Sequence, residues 1–245
     1  KLTILFKILI DFILMPTYGQ YDVPTSDIMV NLGVGQPDNR KLPLNLVKDA
    51  MQKFIDTEQN PEVLQYGDIP GYQRFRKKLA SWLTKHSYAD TSDDFKDSVI
   101  NENELFITNG ITQALHLIMT AYMYQDDTVL VEDPSYFIMI NIFKDFGLDV
   151  VPIPMEDDGI NLEELEKKLE IISRDQDKVF LYTIPINHNP TGITMSHEKR
   201  MLLASLCDTY QNFYVLADEV YHFLSWDKIK GEEKVLPLAD YHPNI

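Results

Sequence analysis

Between residues 104 and 219 the chain alternates short apolar runs with stretches whose apolar residues recur every third or fourth position. The short runs are ELFIT (104–108), TVLVED (128–133), DVVPIP (149–154), KVFLYT (178–183) and FYVLADE (213–219). Their length and their β-branched and aromatic content predict strands. Helical patterns lie between most of them. Ile111, Ala114, Leu115, Ile118 and Met119 share one helical face. A further segment is expected around 136–146, a helix over 161–172 opening on Asn161 and Glu164 in near-capping-box order, and another helix over 197–211. Upstream, NLVKDAMQKFI sets Leu46, Val47, Ala50, Met51 and Phe54 on one helical face. GYQRFRKKLASWL does the same with Tyr72, Phe75, Leu79, Trp82 and Leu83. Strands alternating with helices predict βαβ units, and so an α/β fold with a largely parallel sheet covered on both faces.

Composition narrows this picture. A chain of 245 residues suits one large α/β domain or part of something bigger, and its 44% hydrophobic and 24% charged residues are those of an ordinary globular protein. With 38 acidic against 22 basic residues the net charge is −16, which repels nucleic acid and anionic membrane, so neither is an expected partner. The single cysteine, Cys207, excludes an intramolecular disulfide framework and fits a reducing, cytoplasmic setting. It follows Leu203 and Leu206 on an apolar face and is expected in the core. LTILFKILIDFILM (2–15) is apolar, but it is short for a membrane span and is interrupted by Lys7 and Asp11. It reads as an arm packing on the body or on a partner subunit; a secretory h-region, for which no A-x-A-like cleavage site follows, and sequence from outside the reading frame are the alternatives. The acidic stretch 88–104 reads as a loop joining two parts. The expected division is an arm over 1–30, a helical segment over 31–100 and a large domain over 101–245.

In a parallel sheet, ligands bind outside the carboxyl ends of the strands, so the residues following each predicted strand carry the chemistry. After ELFIT comes TNGITQAL, where Gly110 lets the backbone turn and Thr112 and Gln113 fall in a first helical turn. Free N–H groups and a positive dipole end make this a phosphate cradle in principle, although an ordinary glycine turn reads the same way. After TVLVED comes PSYF, with Tyr136 able to present an aromatic face. After KVFLYT comes IPINHNPTG, where Asn189 offers an amide donor held by a turn. After FYVLA comes DEVYHF, where Asp218 is a carboxylate at the end of an apolar strand and needs a cationic or N–H partner. Tyr221 lies three residues on. Together the four ends describe a site for a phosphorylated aromatic heterocycle. His188, His197 and His222 lack metal-ligand spacing, and His188 reads as a supporting group beside the turn.

NPTG at 189–192 followed by ADEVY at 217–221 resembles the pyridoxal-phosphate-dependent aminotransferases of class I/II, fold type I. YGDIPGYQRFRKKLASWL, ITNGITQAL, VEDPSYF and MEDDGI support the resemblance, which spans roughly residues 30–226 in matching order. GQPDNRKLP (35–43) is similar to the start of fungal members of the branch holding 2-aminoadipate and aromatic aminotransferases. The resemblance implies a three-layer αβα large domain, pyridoxal 5′-phosphate as cofactor, amino acids and 2-oxo acids as substrates, and a homodimer with shared active sites. It implies that Asp218 pairs with the ring nitrogen, that Asn189 and Tyr221 hydrogen-bond the ring oxygen, and that Tyr136 stacks on the ring. Gly110, Ile111 and Thr112, with Gln113 adjacent, would lie along the phosphate. Tyr66 would reach the phosphate of the neighbouring subunit, and Gly35 would lie beside the substrate with Asn189.

The family's Schiff-base lysine stands in an S-x-x-K context one strand beyond DEVY, and no residue of this chain is expected to fill that role. Ser225-Trp226-Asp227-Lys228 spells the motif, but only ten positions after Asp218 and without an intervening strand. The resemblance therefore implies an amino-terminal portion of such an enzyme, lacking two strands and the small carboxy-terminal domain. The strand at 104–108 is then expected to lie detached and the sheet edges to be open. Alternatives are a catalytically inactive protein that keeps the cofactor pocket, a lyase built on the same fold, and a regulator carrying a DNA-binding helix. The acidic charge and the short segment before Gly33 speak against the last.

Overall fold

The computed structural model describes residues 35, 37–88, 99–224 and 235–245. The apolar stretch 2–15, Lys228 with its S-x-x-K and most of the acidic stretch 88–104 lie outside these. The chain divides into two compact units, Lys1–Pro61 and Glu62–Ile245.

In the first unit, helix α1 (Leu44–Thr57) follows a 3-10 turn over Asn39–Lys41 that Asp38 caps by accepting from the Arg40 N–H. Its amphipathic pattern is real, yet none of its residues is buried, and Leu46, Val47, Met51 and Phe54 stand exposed. Periodicity thus predicts the helix, while burial of its apolar face requires a partner surface.

The second unit carries a five-stranded sheet in the order β3-β2-β1-β4-β5, from β1 (Thr128–Asp133), β2 (Asp149–Glu156), β3 (Gly159–Ile160), β4 (Val179–Thr183) and β5 (Phe213–Ala217). All pairings are parallel except the short β2–β3 hairpin. The central strands are buried on both faces, as continuous apolar runs require. Helix α2 is Gln73–Tyr88. Val129, Val131, Phe180 and Tyr182 pack with Leu115 and Met119 of α3 (Gly110–Tyr122) and with Met139 and Phe143 of α4 (Phe137–Asp145). On the other face Leu130, Leu181, Phe213 and Val215 pack with Leu165 and Leu169 of α5 (Leu162–Ile172) and Leu203 and Leu206 of α6 (His197–Thr209). The result is the expected three-layer αβα arrangement. Asn161 caps α5 by accepting from the Glu164 N–H at 2.8 Å. Cys207 is a core residue, and burial pushes its thiol up to about 12.

Two expectations are corrected. ELFIT (104–108) is not a strand: Glu102–Glu104 forms a 3-10 turn, and the Ile107 N–H donates to the Pro70 carbonyl at 2.9 Å instead of to a ladder. A β-rich run becomes a strand only beside a neighbour, and no described strand flanks this one. In α2 the apolar positions do not mark the buried face. Tyr72, just before it, and Phe75 and Trp82 are exposed, whereas Arg76 and Ala80 are buried. Arg76 donates through Nε to the Gly71 carbonyl and through an Nη to that of Glu102, so two backbone acceptors decide which face turns inward. The hairpin strand β3 was not expected, since two residues are too few to show a period.

Gly71 has φ +105°, and a Cβ there would sit 2.6 Å from Ile107 Cγ1. Gly71→Ala is expected to destabilise the second unit by about 2–4 kcal/mol, combining left-handed strain with overpacking. Urea unfolding followed by far-UV circular dichroism measures this; a midpoint equal to that of the parent chain would show that the turn gives way freely.

Candidate functional site

Three chain segments leave the carboxyl end of the sheet and carry the polar residues. Segment 184–195 follows β4 and is closed on itself. Within it, the His188 N–H donates to the Ile193 carbonyl (2.8 Å), Gly192 N–H to the His188 carbonyl (2.6 Å) and Met195 N–H to the Pro185 carbonyl (2.9 Å). Gly192, at φ +76°, supplies the left-handed residue this closure needs, and the Asn189–Pro190 peptide is cis. Arg200, fully buried on α6, donates to the carbonyls of Pro185, Met195 and Leu236 at 2.8–3.0 Å. It thereby holds both ends of the segment. Asn189 is half-buried, and its side-chain amide bonds no described residue.

Asp218 follows β5, and its N–H prolongs the ladder by donating to the Thr183 carbonyl at 2.8 Å. Its side chain is 4% exposed and accepts from the Tyr182 hydroxyl at 2.8 Å and from the Val220 N–H at 3.4 Å. Burial raises its pKa, and among the described residues these two hydrogen bonds oppose the rise and no cation does. Tyr182 is held far above the ordinary phenol range, first by burial and then by the Asp218 charge, so it remains a donor. Glu219, the next residue after Asp218, is half-buried, and loss of solvent pushes it up to about 7 while it accepts from the Leu238 N–H.

Helix α3 begins at Gly110, at φ +79°, and Asn109 before it makes no side-chain cap. The N–H groups of the first turn at Gly110, Ile111 and Thr112 therefore point out of the helix end without a capping side chain. Ile111, Tyr136, Tyr182, Leu216 and Tyr221 share one apolar cluster on this face of the sheet. The start of α3, the aromatic Tyr136 before α4, Tyr221 and the Tyr182–Asp218 pair thus border one face of the sheet. Thr112 is exposed at the same helix end. Gln113 turns back along α3, accepting from the Asn109 N–H at 2.6 Å. Tyr66 is fully exposed, and Gly35 belongs to the other compact unit, so neither is brought to this cluster within its unit.

Sequence reasoning missed Tyr182, Glu132 and Arg200 and underrated His188. Glu132 is 1% exposed and accepts from the Thr183 hydroxyl at Oε1 (2.6 Å) and from the Ile184 N–H at Oε2 (2.9 Å); His188 Nε2 lies 3.0 Å from Oε2. The signal was available: an acidic residue inside a fully buried run must have donors waiting for it.

A family model described as "Aminotransferase class I and II" matches residues 27–244. The chain is 30% identical over 200 residues to aromatic-amino-acid aminotransferase 1 of Thermococcus litoralis, covering 81% of this chain and 45% of that protein. It is 26% identical to an uncharacterised HTH-type transcriptional regulator of Bacillus subtilis, covering 82% of this chain and 38% of that one. Among solved structures it is similar to the Pyrococcus horikoshii kynurenine aminotransferase in complex with PMP. There the TM-score is 0.62 at 30% identity, over 76% of this chain and 43% of that one. The chain spans less than half the length of each of these relatives.

Proposed function

The chain belongs to the class I and II aminotransferases, and we propose that the cluster at its strand ends is the cofactor pocket of an enzyme that moves an amino group between an amino acid and a 2-oxo acid. Aromatic amino acids or 2-aminoadipate are the proposed donors. The family's cofactor is pyridoxal 5′-phosphate. One observation carries the reading: Asp218 is a buried carboxylate with a hydroxyl and a backbone N–H for partners and, among the described residues, no cation. Such a group is complementary to a protonated ring nitrogen.

The other residues fit the same group. When bound, the cofactor supplies a ring that accepts electrons as a bond at the substrate Cα breaks. Asp218 would hold the proton on the ring nitrogen, with Tyr182 fixing the carboxylate. Asn189 and Tyr221 would donate to the ring oxygen, and Tyr136 would cover one face. The uncapped start of α3 would take the phosphate through the N–H groups of Gly110, Ile111 and Thr112, with Gln113 adjacent. Tyr66, exposed in its own chain, would serve the phosphate site of a second copy in a homodimer, and Gly35 would lie beside the substrate.

Pyridoxamine 5′-phosphate is expected to bind this chain saturably, as followed by quenching of its tryptophan fluorescence, and to bind at least about tenfold more tightly than pyridoxamine, which lacks the phosphate. Absence of saturable binding at millimolar probe would sink the reading. Amino transfer from phenylalanine, tyrosine or 2-aminoadipate to 2-oxoglutarate, assayed on the protein that carries this chain, tests the donors. Cofactor binding without transfer to any 2-oxo acid would favour the inactive pocket instead.

A further inference from the structure

We propose that Glu132, His188 and Thr191 form a chain, buried at its Glu132–His188 end, that positions the Asn189 amide, and so sets the ionisation of the cofactor's ring oxygen; this rests on the pocket assignment above. Glu132 stands near the end of β1 and Thr183 at the end of β4. Glu132 is tied to β4 by two hydrogen bonds, from the Thr183 hydroxyl and the Ile184 N–H. His188 Nε2, fully buried, lies 3.0 Å from Glu132 Oε2, at an angle short of a well-aligned hydrogen bond. On the other side of the ring, Nδ1 lies 2.8 Å from Thr191 Oγ1 and 3.4 Å from the Thr191 backbone nitrogen.

A backbone N–H only donates, so Nδ1 is the acceptor, and the proton of a neutral imidazole sits on Nε2, facing Glu132. The Thr191 N–H thereby selects the tautomer, the protonated Nε2 faces Glu132 Oε2 at 3.0 Å, and the ring in turn holds Thr191. The residues held this way are the one before Asn189 and the one two after it. Gly192 N–H closes the same turn onto the His188 carbonyl. Asn189 alone in this stretch has a side-chain amide that bonds no described residue, so the anchoring around it serves to place it. Because Glu132 and Thr183 belong to the adjacent strands β1 and β4, the amide is referenced to the same sheet that carries Tyr182 and Asp218. The spacing between the partner of the ring nitrogen and the donor to the ring oxygen is then a property of the sheet and not of a free loop.

The test uses pyridoxamine 5′-phosphate, whose absorption band follows the ionisation of its ring oxygen and which needs no covalent anchor. Glu132→Gln and Thr191→Val are compared with the parent chain and with Asn189→Ala. An anchored amide donor stabilises the ionised oxygen, so the pH midpoint of the bound probe's band should move upward in both variants, in the same direction as in Asn189→Ala. The dissociation constant should rise about five- to tenfold, the loss of roughly one hydrogen bond. Combining Thr191→Val with Asn189→Ala should add nothing to Asn189→Ala alone, because both act on one contact. Thr191 is exposed, so its variant carries the test if Glu132→Gln fails to fold. Weaker binding with an unmoved midpoint would mean that the chain merely stabilises the loop, and the inference falls. An additive double variant overturns it as well. A parent chain that binds no probe defeats the pocket assignment itself, a result distinct from variants that bind with the parent's spectrum.

Discussion

Asp218→Asn is expected to make the cofactor-free protein more stable at pH 8 while removing most of its affinity for pyridoxamine 5′-phosphate. The two effects have one cause. In the folded chain Asp218 is 4% exposed, and burial raises its pKa above the ordinary carboxylate value; the Tyr182 hydroxyl and the Val220 N–H only partly offset this. A carboxylate whose folded pKa lies above its unfolded one binds protons more readily when folded. Its ionisation therefore costs stability, fully so above the folded pKa and not at all below the unfolded value of 3.8. Asparagine keeps an acceptor for the Tyr182 hydroxyl and carries no charge, so it should raise stability by about 1 kcal/mol at pH 8. That gain should shrink as pH falls towards 4. The same substitution removes the charge that would pair with the ring nitrogen, a charge-assisted bond worth about 2–3 kcal/mol, or roughly a 30- to 150-fold weaker affinity. Urea midpoints across pH 4–8 and fluorescence titration of the probe measure both arms. If Asp218→Asn is destabilised at pH 8, the carboxylate has a favourable partner and the argument for a cationic ligand loses its basis.

The strand ends that precede Asp218 and the Asn189 turn were legible because each closes an apolar run, and such runs mark strands without help from the rest of the chain. The core of the sheet was legible for the same reason: 128–132 and 179–183 are buried on both faces and need no alternation to be seen, and 213–217 is buried or half-buried throughout. ELFIT has the same composition and still forms no strand, since a ladder is a relation between two segments and periodicity describes one. Register hides the remaining site residues in the same way. Val131 pairs with Tyr182, and that pairing sets Glu132 beside Thr183 across 51 positions of sequence. The face of α2 was misread because Arg76, polar by type, is drawn inward by carbonyls at positions 71 and 102, which no helical period reveals. Arg200 escaped notice on the same grounds, one charged residue in a helix whose role depends on three distant carbonyls.

Arg200 carries the largest expected effect on stability. Its guanidinium is completely buried, burial lowers its pKa, and the nearby Glu219 charge works against that lowering. Its three hydrogen bonds go to the carbonyls of Pro185, Met195 and Leu236, so one side chain joins the two ends of the Asn189 segment to the stretch after residue 235. Arg200→Met keeps most of the aliphatic volume but leaves three acceptors short of a charged donor and Glu219 without its cation. Breaking one side of such a buried arrangement costs about 3–5 kcal/mol, a large part of the stability of an ordinary domain. Arg200→Lys should recover only a minor share, because a single ammonium at the end of a flexible stem does not span the planar fork that Arg200 presents. Hydrogen exchange distinguishes a local from a global role. The amides of His188, Gly192 and Met195, which close the segment, should lose protection in Arg200→Met before those of Leu130 and Leu181 in the central strands do. Equal loss everywhere would mean that Arg200 stabilises the unit as a whole and not the segment. Unchanged protection at the three closing amides, with a urea midpoint near the parent's, would show that the closed turn holds Asn189 without this clamp and that the Glu132–His188 side suffices.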